Sequence, residues 1–67
     1  MRITIVGCGS RGSKLAEAAD KMLEVKRIYL VDEDKARAEA VAQTVNKAEV
    51  VENVEEELYH CDLVIEC

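Results

Sequence analysis

All three glycines of this chain fall in one stretch, GCGSRG, spaced as Gly7-x-Gly9-x-x-Gly12, and an acid, Asp32, stands twenty residues beyond the last of them. These residue types at these spacings suit the binding of a dinucleotide. Gly7 lets the chain turn sharply out of a strand. Gly9, without a Cβ, lets a pyrophosphate come close to the backbone. Gly12 lets a helix pack tightly on a sheet. The N–H groups around Gly9 to Gly12 would then point at phosphate oxygens, with the helix dipole helping. Asp32 would accept hydrogen bonds from the hydroxyls of the adenosine ribose. Gly7, Gly9, Ser10, Arg11, Gly12 and Asp32 are therefore the candidate cofactor-binding residues.

The Asp32 carboxylate would repel a 2′-phosphate. Glu33 and Asp34 add negative charge beside it, and no arginine follows the strand to pair with such a phosphate. On electrostatic grounds NAD(H) is expected over NADP(H). Glu33 and Asp34 also suit the start of a helix. Arg11 either lies against the pyrophosphate or is solvated. Ser10 either donates its hydroxyl to a phosphate or only begins the helix. Cys8 stands between two glycines at a helix start, where a thiol pKa can fall, but its small size is sufficient reason for its place. Glu66 ends a strand as an ordinary polar residue, with a ribose contact as the alternative. His60 has no evident catalytic partner and reads as a solvated residue. No catalytic residue and no metal ligand is assigned.

A glycine pattern of this kind means little alone; the elements around it give it weight. Arg2 to Gly7 is short and β-branched and reads as a buried parallel strand. From Ser10 to Leu23, the residues Leu15, Ala18, Ala19, Met22 and Leu23 form one helical stripe. Arg27 to Asp32 is a second strand. Lys35 to Asn46 is a second helix with Ala38, Val41, Ala42 and Val45 on one face, ended by Asn46 in a left-handed conformation. Ala48 to Val51 is a short third strand. Asn53 to Glu56 has the form of a helix cap, and a helix of about two turns would bury Val54 and Leu58. Asp62 to Cys67 is a fourth strand. The order β-α-β-α-β-α-β implies an α/β fold, a partial Rossmann fold with a parallel sheet in the order 3-2-1-4.

Composition limits what else the chain does. Its 67 residues make at most one small domain, and 49 % are hydrophobic. With two tyrosines as the only aromatics, the core must be aliphatic. A net charge of −5 and the lack of a basic face argue against nucleic-acid binding. The short pair Lys26-Arg27 suits surface salt bridges. No apolar run is long enough for a membrane span or a signal peptide, so the chain reads as cytoplasmic. The three cysteines, Cys8, Cys61 and Cys67, lack CxxC spacing, which speaks against a disulfide framework or a zinc site. Cys61 and Cys67 read as small apolar residues.

The stretches ITIVGCGSRGSKLAE, IYLVDEDKARAEAVA and CDLVIEC resemble the N-terminal half of the NAD-binding domain of L-aspartate dehydrogenases and related dinucleotide-utilising proteins. The resemblance covers nearly the whole chain. It implies a pyrophosphate held by Gly7, Gly9, Ser10, Arg11 and Gly12, and an adenosine ribose held by Asp32. Similar stretches occur in homoserine dehydrogenases, hydroxyacyl-CoA dehydrogenases and sugar-type oxidoreductases. The nucleotide-sensing domains of potassium transport systems are similar too, and give a regulatory alternative. S-adenosylmethionine-dependent methyl transfer fits less well because of Gly12. Relative to the dehydrogenases, the sequence finishes with its fourth strand. The resemblance therefore implies residues 1–67 as the N-terminal part of a dinucleotide-binding domain, without a substrate domain and catalytically incomplete alone. Such a chain is expected to be marginally stable, or to self-associate through the bare edge of the fourth strand.

Overall fold

The computed structural model describes residues 1–52 and 61–67. Two helices and four strands are present among them: β1 (Arg2–Val6), α1 (Ser10–Asp20), β2 (Arg27–Val31), α2 (Lys35–Thr44), β3 (Ala48–Val50) and β4 (Leu63–Glu66). The strands form one sheet in the order β3-β2-β1-β4, and all three pairings are parallel. The α/β class, the parallel sheet and the strand order are as the sequence implies, consistent with a partial Rossmann-like fold. The expected helix after Asn53, with Val54 and Leu58, lies outside the described residues, as does His60. No helix among the described residues is long and apolar enough to cross a membrane.

Register explains how the core is built. Ile3 lies opposite Ile28 and Leu63, and Ile5 lies opposite Leu30 and Ile65. Alternation along each strand sends these side chains to one face of the sheet. Ile5, Ile28 and Leu30 are completely buried, as are Ala16 of α1 and Ala38 of α2. The other face carries Thr4, whose side chain is completely buried and whose hydroxyl has no hydrogen-bond partner among the described residues.

The buried side of α1 differs from the expected stripe. Gly12, Ala16 and Ala19 are buried, whereas Leu15, Met22 and Leu23 are exposed, Leu23 by 87 %. The reason is distance. A Cβ on Gly12 would stand 1.9 Å from the Gly7 carbonyl oxygen, so α1 runs too close to the turn for bulky side chains on that side. The helix also stops at Asp20, earlier than expected. The Lys21 and Met22 N–H groups reach back only three residues, to Ala18 O and Ala19 O, a tightening that closes the last turn. The Asp20 carboxylate then accepts the N–H groups of Asn46 and Lys47, at 3.3 and 3.0 Å.

That contact bears on the end of α2 as well. Asn46 is not left-handed, since no described residue other than Gly7 has a positive φ. The helix ends at Thr44, Val45 is extended with φ −120° and ψ 109°, and the Val45 side chain fills the core at 1 % exposure. Burying valine and anchoring the Asn46 amide on Asp20 together replace the left-handed cap. At the other end of α2, Asp34 accepts the N–H groups of Ala36 and Arg37, the capping role its position suits. Arg27 faces Glu49 across the β2–β3 pair at 3.9 Å, with both side chains half exposed.

Candidate functional site

The chain runs from β1 to β2 to β3 in one direction across the sheet, and β4 is added on the opposite side of β1. The strand order therefore reverses between β1 and β4, and a crevice is expected at the carboxyl ends of the strands there. A cleft of about 330 Å³ occupies that place. Gly7, Gly9, Ser10, Arg11, Gly12 and Asp32 all line it. The six candidates from the sequence are thus brought together. Two residues that the sequence reading did not assign to the site, Arg37 and Cys67, complete the wall.

The three glycines have different reasons to be glycine. Gly7 continues the β1–β2 ladder, donating its N–H to Val31 O at 2.7 Å, and then turns with φ +98°. A Cβ there would meet the Cys67 carbonyl oxygen at 2.7 Å. Gly12 is fixed by its approach to Gly7. The fold alone accounts for both. Gly9 is different: its backbone is extended, with φ −75° and ψ −158°, and a Cβ built on it would meet no atom of the described residues within 4 Å. Neither conformation nor packing requires glycine at that position. The missing side chain leaves open space directly over the start of α1.

That helix start is ready for an anion. No side chain among the described residues caps it, and the N–H groups of Ser10, Arg11 and Gly12 have no intrahelical acceptors. Their partial positive charge adds to that of the helix dipole. Ser10 begins the helix with its carbonyl accepting the Ser13 hydroxyl at 3.2 Å. The Arg11 side chain is exposed at the cleft rim.

Asp32 is more than a wall of the cleft. Its Oδ2 accepts the Cys8 N–H at 2.7 Å, and its Oδ1 accepts the Asp34 N–H at 2.8 Å. These two bonds, that from Cys8 first, hold its carboxyl below the ordinary value of 3.8. Its side chain is only 8 % exposed. A carboxylate offers about four lone-pair sites, so acceptor capacity remains for a ligand hydroxyl. From α2, Arg37 brings Nη1 to 3.9 Å from Oδ2. The expectation that no arginine follows the strand to pair with a 2′-phosphate leaves Arg37 out of account: the first turn of α2 returns it to the cleft, where spacing along the chain does not show it.

The cysteines also separate. Cys8 is 2 % exposed, and burial, followed by the nearby Asp32 charge, raises its thiol pKa. It is a neutral packing group beneath the turn, without the lowered pKa of a thiol exposed at a helix start. Cys67, expected to be a small apolar residue, is instead exposed at the cleft. Glu66 lies opposite Val6 in register, and alternation puts Val6 on the face away from Ile5. Glu66 does not line the cleft. Among the described residues no cluster of His, Cys, Asp or Glu suits a metal ion. Comparison with protein-family models, with curated proteins and with solved structures finds no match for this chain.

Proposed function

We propose that this chain binds a nicotinamide adenine dinucleotide and forms the cofactor-binding part of an oxidoreductase resembling the L-aspartate dehydrogenases. The pyrophosphate rests over the start of α1, against the N–H groups of Ser10, Arg11 and Gly12. The adenosine ribose hydroxyls donate to Asp32. The observation that carries this reading is Gly9, a glycine demanded by neither the turn nor the packing, beside a helix start with unfilled donors. A side chain there would fill the space where a diphosphate must lie.

When bound, the nicotinamide supplies the hydride chemistry. The chain's own residues bind and orient. The turn fixes the diphosphate, and Asp32 fixes the ribose relative to that turn, because the same carboxylate holds both the Cys8 amide and the sugar. The test is a titration of the chain with NADH, followed by nicotinamide fluorescence. Saturable binding is expected, with inorganic pyrophosphate competing. An unchanged signal up to millimolar cofactor would reduce the cleft to a structural turn.

A further inference from the structure

The large apolar side chains that α1 leaves exposed are not scattered. Leu15 and Met22 stand with Met1 and Leu63 around one groove of about 250 Å³ between α1 and β4. These are four of the five large hydrophobic side chains exposed among the described residues, the fifth being Leu23. Ala18, between Leu15 and Met22 in the chain, lines the groove, as does Ile65 of β4. The helix positions account for it. α1 packs on β1 and β2, and α2 packs on β2 and β3, so both lie toward the β3 side of the sheet. Apolar side chains gathered in this way mark an interaction surface.

α1 has two apolar sides as a result. Gly12, Ala16 and Ala19 are buried on the sheet. Leu15, Ala18 and Met22, spaced by three and then four residues, form a second stripe along the groove. That spacing makes a narrow seam suited to one further helix. The stripe runs large, small, large, and the alanine in its middle lets two helix axes come close. Exposed charges follow its outer border: Lys14, Glu17, Lys21 and Glu24. None of the four forms an ion pair among the described residues. Their signs alternate plus, minus, plus, minus. An antiparallel copy of this row sets each lysine against a glutamate, whereas a parallel copy sets like charges together.

We propose that this groove is the interface of a two-fold dimer of the chain, in which α1 of one copy lies antiparallel to α1 of the second. The axis passes close to Ala18. Leu15 of each copy then meets Met22 of the other, as a self-complementary interface requires. Along the border, Lys14 meets Glu24 and Glu17 meets Lys21. The contact runs from Lys14 to Glu24 and leaves Gly9 and Ser10 clear, so it does not depend on a bound cofactor.

Sedimentation over a range of concentrations, on the wild type and three variants, tests this. The wild type should pass from monomer to dimer and no further. Ala18→Glu puts a charge at the axis and should leave the chain monomeric with an unchanged circular dichroism spectrum. Two charge exchanges both keep the net charge of −5. Lys14→Glu with Glu17→Lys turns the contacts along the border into like pairs, and should weaken the dimer about tenfold or more. Lys14→Glu with Glu24→Lys only exchanges the two members of a pair, and should dimerise within about threefold of wild type. Equal constants for the two exchanges would overturn the proposal. So would a wild-type chain that stays monomeric up to millimolar concentration, which would give the groove to a different partner. Association that Ala18→Glu and the first exchange leave unchanged would also overturn it, and would assign the contact to the edge of β4.

Discussion

The Asp32 carboxylate accepts the Cys8 N–H at 2.7 Å, joining the end of β2 to the middle of the glycine turn across 24 positions of sequence. One side chain therefore shapes the turn and faces the cleft. Loss of this carboxylate should reduce both stability and cofactor affinity. Asp32→Asn, which keeps one oxygen acceptor, should melt closer to wild type than Asp32→Ala, while both bind NADH about tenfold or more weakly. Because the folded pKa lies below the ordinary value, the stabilisation from Asp32 is fully present above that ordinary value. It disappears as pH falls through the folded pKa. Denaturant melts of wild type and Asp32→Ala should converge as the pH is lowered below that of an ordinary carboxyl. A constant gap down to strong acid would contradict the bonds to Cys8 and Asp34 as its cause.

Thr4 lies in the middle of β1 with its hydroxyl buried and unpartnered among the described residues. Thr4→Val keeps the shape and removes the unmatched polar group, so it should stabilise the chain by about 1 kcal/mol. Urea denaturation measures this. A clear loss of stability would mean that the hydroxyl is satisfied.

Thiol chemistry should separate the two cysteines on either side of the turn. Iodoacetamide at neutral pH should modify Cys67, which is exposed, and leave Cys8, which is buried with a raised pKa. NADH should protect Cys67, because it lines the same cleft as Gly9. Peptide mass analysis reads both outcomes. Rapid modification of Cys8 in the folded chain would contradict its burial.

Along β4, Leu63 is 42 % exposed, and β4 is an edge of the sheet among the described residues. Unpaired strand edges recruit other chains. Sedimentation should show association that grows with concentration, and Leu63→Lys should weaken it. A sharp monomeric melt, independent of concentration and at high temperature, would rule this association out.

Much of the fold is legible because strand and helix periods differ. The short β-branched runs at Ile3 and Ile28 and the alanine-rich run at Ala38 each admit one reading, and their alternation dictates a parallel sheet. The α1 face is less legible, since hydrophobicity points to Leu15, Met22 and Leu23. The close approach of Gly12 to Gly7, which makes small residues the buried ones, is a tertiary fact. The end of α2 is hidden for the same reason: Asn46 is held by Asp20, which belongs to another helix. At the site, the glycine spacing and Asp32 give six cleft residues. Arg37 escapes because it belongs to the helix after the strand, and only the path of the chain around Asp34 returns it to the cleft. The clamp from Asp32 to Cys8 has no sequence signal, because its donor is a backbone amide.

The most direct test is to place a methyl group on each glycine in turn and to measure both the melt and NADH binding. Gly7→Ala and Gly12→Ala should destabilise the chain by roughly 1–3 kcal/mol, from strain at the positive φ and from the clash of the two backbones. Gly9→Ala should melt within about 0.5 kcal/mol of wild type, as an exposed substitution does, yet bind NADH about tenfold or more weakly. A Gly9→Ala chain that binds NADH with wild-type affinity would contradict the claim that this open space exists for a diphosphate.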